Sequence, residues 1–472
     1  MSKSREIHKV KIGLLGSGTV GEAVQSFIFG GQAKEKVGMD LEIVKIYTRR
    51  PKGKRWYPTH ASLFTTKAYE VTDHPEAEII VEALGSQEEG ELSAFKDYII
   101  RSLQRGKSVV TSDKAVLAKF GREIWAAARE YKQALRFEAC VGGGIPIIRS
   151  LSESFSSEQP ESIYGIINGT CNYVLSEMGK GGKSYAEALK NAQSRGYAET
   201  NPKADTSGMD AEAKLILLTL VTFGLHVEPG VIWRKGIEEI DAIDFLYADR
   251  KGSCTIKQLA AAQDVDGTVQ AFVSPVLVPH GHFLATIEGA TNAIFFKGKR
   301  SQGAVGAEKD GNHRKTPDWN YVFVGPGAGG GPTGVAILGD VVDLARGRVR
   351  PLPAPPSLVC PGKLEVQSED NINADFYLRF VVKDRAGIVG DICQTLGEQG
   401  INIAEVWQLP HSQDELKSLA QRYGLREKPG KILPFVITLD RAAIGQIRKA
   451  LANIRQKDFI LVDPLWIPIW RN

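Results

Sequence analysis

A glycine-rich turn between an apolar strand and a helix constrains the fold of this chain more than any other feature. The strand ends at Leu15, the turn GSGTVG runs from Gly16 to Gly21, and a helical segment follows it. Gly16 allows a tight turn, Gly18 lets a ligand approach the backbone, and Gly21 permits close packing of helix and strand. The N–H groups at the helix start suit a pyrophosphate. A tight turn without any ligand is the alternative interpretation.

Strands and helices alternate after this turn. Predicted strands end at Tyr47, Leu84, Thr111 and Ala139, and the helices 89–104 and 117–132 separate the last three of them. This alternation predicts an α/β fold with a parallel, doubly wound sheet of the Rossmann type. Ligands of such sheets bind at the carboxyl ends of the strands. The candidate cofactor-binding residues in these turns are Gly16, Gly18, Thr19, Val20, Gly21, Arg49, Gly85, Ser112 and Lys114.

The loop after the second strand is basic. An NAD-specific fold usually has an acidic residue here that binds the ribose 2′-hydroxyl. This chain has Arg49 and Arg50, and Lys52, Lys54 and Arg55 follow closely. A cationic cluster favours the 2′-phosphate of NADP, with NAD as the alternative cofactor. A solvated basic loop is the competing interpretation.

The stretch from Gly196 to Gly224 joins a polar, turn-rich half to an apolar, helical half. Glu199, Asp205 and Asp210 precede Lys214 within it, and in a helix Asp210 and Lys214 share one face. Such an acid–lysine pair is usually a surface pair that stabilises by about 0.3–0.5 kcal/mol. Three carboxylates around one lysine at the edge of an apolar run favour instead a site for an amino-acid substrate.

The loop from Cys140 to Pro146 contains three consecutive glycines. Its exposed carbonyls could hold a monovalent cation, and a flexible hinge fits the sequence equally well. The middle of the chain has the strand-like runs 162–167, 269–278 and 292–296, which predict an α+β domain.

The C-terminal segment predicts a small separate fold. Strands at 376–382, 402–409, 434–439 and 459–462 alternate with helices at 388–398 and 442–454. This order is βαββαβ, a ferredoxin-like plan, and the polar segment 411–431 is an insertion in it. A Pro- and Arg-rich linker precedes the segment.

Composition limits the classes of partner. The length of 472 residues suggests about three domains, and the net charge of +4 gives no reason to expect nucleic acid or a membrane as partner. The five cysteines form no CxxC pair, and no apolar run is long enough to span a membrane. We therefore expect a soluble protein of a reducing compartment, the cytoplasm.

Five sequence motifs, taken in their order along the chain, resemble those of a known enzyme family. GLLGSGTVG, TSDKAVLA, FEACVGGGIPII, GIINGTCNYVL and GYAETNPKADTSGMDAEAK are similar to those of homoserine dehydrogenase, over roughly the first 345 residues. The tail from Phe376 resembles an ACT domain, a regulatory module that often binds amino acids, through DRAGIV and GINI. TSDK, ALGS and ETNP depart from the family's usual TANK, double glycine and EADP.

The resemblance implies an enzyme that interconverts L-aspartate 4-semialdehyde and L-homoserine with NAD(P)H, in threonine and methionine biosynthesis. It implies that Lys214 is the acid/base lysine and that Lys114 contacts cofactor and substrate. Glu199, Asp205 and Asp210 then bind the substrate. The resemblance adds Gly196 to the cofactor site, and it implies a sodium or potassium ion held by Glu138 and by the carbonyls of Val141, Gly143 and Ile145.

The resemblance also implies domains and regulation. The expected segments are a nucleotide-binding domain (1–150), a catalytic and dimerisation domain (151–320), a return segment (321–347), a linker (348–372) and an ACT domain (373–472). The effector is a small amino acid, commonly threonine, expected at Asp384, Gly387, Ile388 and Asn402. The family implies a homodimer or homotetramer. The alternatives are a catalytically weak amino-acid sensor and a dehydrogenase for another amino-acid semialdehyde.

Overall fold

The computed structural model describes residues 9–31, 38–85, 89–299, 320–347 and 365–471. These form two compact units. The first unit comprises Met1–Ile163, Ala213–Pro229 and Asn292–Glu365, and the second comprises Tyr164–Glu212, Gly230–Thr291 and Val366–Asn472. Most of the expected linker, residues 348–364, lies outside the described residues.

The strands are numbered in chain order. They are β1 (Lys9–Leu15), β2 (Asp40–Tyr47), β3 (Phe64–Thr65), β4 (Ile79–Glu82), β5 (Ser108–Thr111), β6 (Leu135–Arg136), β7 (Pro160–Ile166), β8 (Trp233–Arg234), β9 (Cys254–Val265), β10 (Thr268–Pro279), β11 (Thr291–Gly298), β12 (Asn320–Pro326), β13 (Glu365–Val366), β14 (Asn373–Lys383), β15 (Ile403–Trp407), β16 (Ile432–Ala443) and β17 (Ile460–Ile469).

The α-helices are numbered in the same way. They are α1 (Thr19–Phe29), α2 (Tyr57–His60), α3 (Tyr69–Thr72), α4 (Glu89–Gln104), α5 (Lys114–Glu130), α6 (Ile147–Arg149), α7 (Gly169–Gly181), α8 (Tyr185–Ser194), α9 (Lys203–Thr206), α10 (Met209–Phe223), α11 (Ala242–Gly252), α12 (Gly330–Ala345), α13 (Ile388–Gly397), α14 (Gln413–Tyr423) and α15 (Ile444–Ile454).

The first unit contains the expected parallel sheet. Its strand order is β3-β2-β1-β4-β5-β6, and each neighbouring pair is parallel. The order reverses between β1 and β4, so the carboxyl ends of these two strands form the switch point at which such sheets bind ligands. All four residues of β4 are buried, as expected for a central strand that is covered on both faces. The Rossmann-type prediction is confirmed.

Helix α12 packs on this sheet from far along the chain. Its residues Ile337 and Val341 are fully buried in one core with Ile12 and Leu14 of β1 and with Val24 of α1. Glycines allow the close approach of α1 and α12: a Cβ at residue 334 would lie 3.1 Å from the Cβ of Ala23.

Two elements of the first unit differ from their sequence-based bounds. The helix predicted from residue 117 begins at Lys114, because the Asp113 side chain accepts hydrogen bonds from the N–H groups of Ala115 and Val116. The strand predicted over 134–139 ends at Arg136 and a 3-10 turn follows at Glu138–Cys140. The N–H of Glu138 is drawn out of the sheet, since it donates to the Asp340 carboxylate at 2.9 Å.

The second unit is built on a mixed sheet with the order β9-β10-β17-β14-β16-β15. Strands β9 and β10 form a long antiparallel hairpin whose turn, Asp266 and Gly267, has positive φ at both residues. That conformation belongs to the two-residue hairpin turn that an Asp-Gly pair favours.

The tail has the predicted βαββαβ order. Its strands are arranged β17-β14-β16-β15, and the neighbouring pairs are antiparallel, as in a ferredoxin-like fold. The insertion 411–431 contains helix α14, whose start is fixed by a capping box between Ser412 and Glu415. The tail also shares a core with the middle of the chain, in which Tyr377 and Leu465 pack with Tyr247 and Ile256.

Among the described residues, no helix combines the length and the apolar character that crossing a bilayer requires.

Candidate active site

The glycine turn lies directly beside the switch point of the parallel sheet. Gly16 has φ +110°, and a Cβ there would lie 2.3 Å from the Ala83 carbonyl oxygen. A Cβ at Gly21 would lie 2.2 Å from the Gly16 carbonyl oxygen. Both positions therefore require glycine. A Cβ at Gly18 would meet no atom within 4 Å, so the turn has open space at that residue.

Helix α1 begins at Thr19, immediately after this open position. No side chain of the described residues caps its N-terminus at Gly18. The first N–H groups of the helix thus lack a side-chain acceptor, which is the arrangement that suits a phosphate. Gly330, at the start of α12, approaches the same place, since a Cβ there would lie 2.8 Å from the Thr19 carbonyl oxygen.

The basic loop after β2 is partly engaged with acids. Arg49 is 73% exposed and its guanidinium lies 3.1 Å from the Glu91 carboxylate. Lys54 lies 3.6 Å from Glu22 of α1. The loop is therefore held next to the glycine-turn helix, and Arg49 keeps most of its surface in solvent.

A buried network joins the loops after β4 and β5. Glu82, the last residue of β4, accepts hydrogen bonds from the N–H of Leu84 at 2.8 Å and from the hydroxyl of Thr111. The Thr111 hydroxyl oxygen accepts from the N–H of Asp113 at 3.0 Å, and Asp113 caps the helix that begins at Lys114. Glu82 thus fixes the backbone next to Gly85 and, through Thr111, the start of α5.

Burial, and next the negative charge of Asp113, raise the pKa of Glu82 to about 8. Cys140, fully buried nearby, donates its thiol to the Thr111 carbonyl oxygen at 3.4 Å, and burial raises its pKa well above its usual value. Sequence reasoning did not select Glu82, although an acid at the end of an otherwise apolar strand is a usable signal.

Lys114 and Lys214 both belong to the first unit. Lys114 is the half-buried first residue of α5. Lys214 is only 8% exposed, so its side chain does not extend into bulk solvent. It lies on α10 one helical turn after Asp210.

Glu138 begins a 3-10 turn and faces two backbone donors. Its carboxylate accepts from the N–H groups of Ile148 at 3.0 Å and Arg149 at 2.7 Å. Burial, and next the charge of Asp340, raise the pKa of Glu138 to about 7. Burial likewise raises the pKa of Asp340 to about 6.

The glycine loop beyond Glu138 offers carbonyl oxygens. Gly142 and Gly143 have positive φ, and the Ile145 carbonyl accepts from the N–H of Ile147 at 2.8 Å. Within the described part of the chain, the carbonyls of Val141 and Gly143 receive no backbone hydrogen bond. Such carbonyls fit a monovalent cation. The described residues hold no group of three or more His, Cys, Asp or Glu side chains that could bind a metal ion.

Asn168 brings two of the candidate substrate carboxylates together in the second unit. Its side-chain amide donates to Asp205 at 2.7 Å and to Asp210 at 2.8 Å. Its amide oxygen accepts from the N–H of Cys171 and so caps α7. One amide thus holds two carboxylates side by side, which concentrates negative charge where a cationic ammonium group can be recognised. Sequence reasoning missed this role, although Asn168 directly precedes the helix and therefore carries a capping signal.

Glu199 and Gly196 take no part in the hydrogen bonds of this bridge. Glu199 is exposed, and its carbonyl rather than its carboxylate receives the Gln193 side chain at 3.1 Å. Gly196 ends a helical turn with φ +76° and open space around it.

The candidate effector residues lie around the first turn of the tail. Gly387 has φ +91° and precedes α13, Ile388 is buried in the tail core, and Asp384 is exposed. The carbonyl of Asn402 accepts from the N–H of Asp440 at 3.1 Å.

Comparison with known proteins gives one consistent result. Residues 16–138 match the family model described as the NAD binding domain of homoserine dehydrogenase, and residues 146–342 match the model described as homoserine dehydrogenase. A homoserine dehydrogenase of Bacillus subtilis is 33% identical over 414 residues, which cover 87% of this chain and 90% of that protein.

Solved structures agree with this match. The crystal structure of a homoserine dehydrogenase from Thiobacillus denitrificans has a TM-score of 0.80 and 28% identity, covering 98% of this chain and 99% of that one. A hyperthermophilic archaeal homoserine dehydrogenase in complex with NADPH shares the fold with a TM-score of 0.58 and 24% identity, covering 73% of this chain and 100% of that one. The chain therefore belongs to the homoserine dehydrogenase family, a family of oxidoreductases that carry a nicotinamide-dinucleotide domain.

Proposed function

We propose that the protein catalyses the NADP-dependent interconversion of L-homoserine and L-aspartate 4-semialdehyde, in threonine and methionine biosynthesis. The observation that carries this proposal is the Asn168 bridge between Asp205 and Asp210, one helical turn before the buried Lys214. Paired carboxylates recognise the α-ammonium group of an amino acid, and a buried ammonium stabilises an alkoxide that develops nearby.

The residues of the glycine turn suit the cofactor. The open space at Gly18 and the α1 N-terminus fit a pyrophosphate, and Arg49 supports a 2′-phosphate, hence NADP rather than NAD. When bound, the nicotinamide supplies the chemistry of hydride exchange with the carbon that bears the substrate oxygen. Gly85, Ser112 and Gly196 complete the proposed cofactor set with Thr19 and Val20.

The protein supplies charge and a proton. Lys214, with Lys114 beside the cofactor, stabilises negative charge on the substrate oxygen and exchanges a proton with it. Glu199, Asp205 and Asp210 hold the ammonium group. A sodium or potassium ion bound by Glu138 and the carbonyls of Val141, Gly143 and Ile145 stiffens the adjoining loop; the available carbonyls of Val141 and Gly143 support this assignment.

The tail serves regulation in this proposal. A small amino acid, with threonine as the first choice, binds at Asp384, Gly387, Ile388 and Asn402 of an ACT-type module. The open positive-φ turn at Gly387 supports this place. The enzyme works in the cytoplasm as a homodimer or homotetramer, and the free thiols of Cys140, Cys171, Cys254 and Cys393 suit a reducing compartment.

A steady-state assay with homoserine, comparing NADP with NAD, with and without threonine, tests the proposal. We expect turnover with a higher kcat/KM for NADP, and inhibition by threonine. Absence of turnover with either cofactor would favour the alternative of an amino-acid sensor. Turnover only with another amino-acid semialdehyde would retain the fold and change the substrate.

A further inference from the structure

The insertion helix α14 and strand β14 hold a short segment of the second unit that lies between them and the substrate carboxylates. We call residues 236–241 the connecting segment. Arg422 of α14 donates to the carbonyls of Glu238 at 3.4 Å and Ile240 at 2.8 Å. Its guanidinium also lies 2.9 Å from the Asp241 carboxylate.

A second arginine holds the same segment from β14. Arg379, 2% exposed, donates to the Glu239 carbonyl at 3.2 Å and lies 3.3 Å from Asp244, which is fully buried. It also donates to the Tyr423 hydroxyl at 2.9 Å, so the two arginine sites are joined at the end of α14. The two arginines thus provide hydrogen bonds to three consecutive carbonyls of the connecting segment.

The other end of the connecting segment contacts the carboxylate site. The N–H of Ile237 donates to the Thr206 carbonyl at 2.9 Å. A Cβ at Gly236 would lie 2.8 Å from the same carbonyl oxygen, so the approach is closer than any other residue would allow. Thr206 directly follows Asp205, which Asn168 holds next to Asp210.

We propose that Arg379 and Arg422 are positioning residues for the reaction: through the connecting segment they fix Thr206 and with it Asp205. The tail then contributes to homoserine affinity even without an effector, and a ligand that shifts β14 or α14 acts on the substrate carboxylates along this path. This inference rests on the proposed role of Asp205 and Asp210 in binding the substrate. It gives the insertion 411–431 a function, which its polar sequence did not suggest.

The test compares Arg422→Gln with Lys417→Gln in the full-length protein. Both changes remove one positive charge from α14, but Lys417 is 63% exposed, and its ion-pair partner among the described residues is Asp414 of its own helix, at 3.0 Å. We expect Arg422→Gln to raise the KM for homoserine about 3- to 10-fold, which lies within the usual range of coupling through packed networks, with NADPH affinity and kcat nearly unchanged. Lys417→Gln should match the unchanged protein in all three.

A purely structural role would instead lower the melting temperature or kcat without a selective change in the homoserine KM. Equal homoserine KM values for the two variants would overturn the inference. Should Arg422→Gln not fold, Arg422→Lys keeps the charge opposite Asp241 but loses the two-carbonyl fork, and gives the same comparison.

Failure of the proposed function is distinguishable from failure of this inference. If Asp210→Asn leaves the homoserine KM unchanged, then the carboxylates do not bind the substrate. If Asp210→Asn raises this KM and Arg422→Gln does not, then only the positioning role is wrong.

Discussion

At the scale of single residues, the proposed chemistry depends on two side chains. Lys214 is an ammonium group that is almost fully buried, and Asn168 is an amide that holds two carboxylates. Bringing two carboxylates side by side carries a free-energy cost, because like charges repel. In the proposed function, the ammonium group of a bound amino acid offsets this cost.

Replacing Lys214 by alanine should lower kcat for homoserine oxidation by about 100-fold or more, the usual contribution of a positioned acid–base group. NADPH affinity, measured by fluorescence titration, should stay the same. Lys119, a half-buried lysine of the same unit on α5, provides the matched control as Lys119→Ala. Turnover of Lys214→Ala equal to that of the control would refute the assigned role.

The substitution Asn168→Ser removes the bridge between the two carboxylates but keeps a side chain that can cap helix α7. Serine also caps helices well, so the melting temperature should change little. It has no amide to join Asp205 and Asp210, and the two carboxylates should separate. We expect the KM for homoserine to rise about 10-fold or more, because both hydrogen bonds from the Asn168 amide to charged groups are lost. An unchanged KM with intact folding would show that the bridge is not needed for substrate binding.

At the scale of elements, the glycine turn and α1 are in direct backbone contact, because Gly21 of the helix packs against Gly16 of the turn. Gly21 is needed for the fold, because any Cβ there collides with the Gly16 carbonyl, whereas Gly18 has free space. Gly21 is therefore required by the fold, whereas Gly18 is required only if a ligand approaches it. The sequence pattern alone does not distinguish these two requirements.

Gly18→Ala should fold with a melting temperature near that of the unchanged protein and lose NADPH affinity, because the methyl group occupies the space where the pyrophosphate approaches. Gly21→Ala should lower the melting temperature as well, since backbone must move. Circular dichroism and NADPH titration of the two variants provide the comparison. Full NADPH affinity in Gly18→Ala would place the cofactor elsewhere.

The sequence predicts those elements that depend on local patterns. The strand before Gly16, the βαβ alternation and the βαββαβ tail follow from apolar runs and turn residues, and the structure contains them. Helix α14 and strand β9 were not predicted. The capping box at Ser412 and the Asp-Gly turn after β9 are local signals that would have revealed both.

The contacts that build the candidate site are not local. Asn168 is 37 and 42 residues from its two carboxylates, and Glu82 is 29 residues from Thr111. No periodicity in one sequence encodes which distant side chains meet. The sequence could therefore select Asp205 and Asp210 by their type, but it could not provide the amide between them.

At the scale of the whole molecule, two buried groups make stability depend on pH with opposite sign. The pKa of Glu82 is raised to about 8 from 4.5, and that of Lys257 is lowered to about 8 from 10.5, burial being the main cause for both. Between pH 4.5 and 8 the folded protein keeps a proton on Glu82 that the unfolded chain loses, so stability falls as pH rises. Between pH 8 and 10.5 the unfolded chain keeps a proton on Lys257 that the folded protein lacks, so stability rises.

Glu82→Gln should therefore reduce the fall in melting temperature between pH 5 and 8. Lys257→Met should remove the rise in stability that Lys257 contributes between pH 8 and 10. Glu76→Gln, at a carboxylate that is 56% exposed, is the control for the first change. Melting temperatures recorded across this pH range provide the measurement. A slope in Glu82→Gln equal to that of the control would show that Glu82 titrates near its ordinary pKa.

The shared core of the tail and the middle of the chain has an evolutionary consequence. Tyr377 and Leu465 pack beside Tyr247 and Ile256. A gene that lost the codons for the tail would therefore encode a protein with an exposed apolar patch around Tyr247. A shorter ancestor or descendant of this enzyme must have polar side chains in place of these apolar ones, or must cover the patch with another subunit. Gain and loss of the tail are therefore multi-step events, and the steps should be visible as coordinated changes around Tyr247.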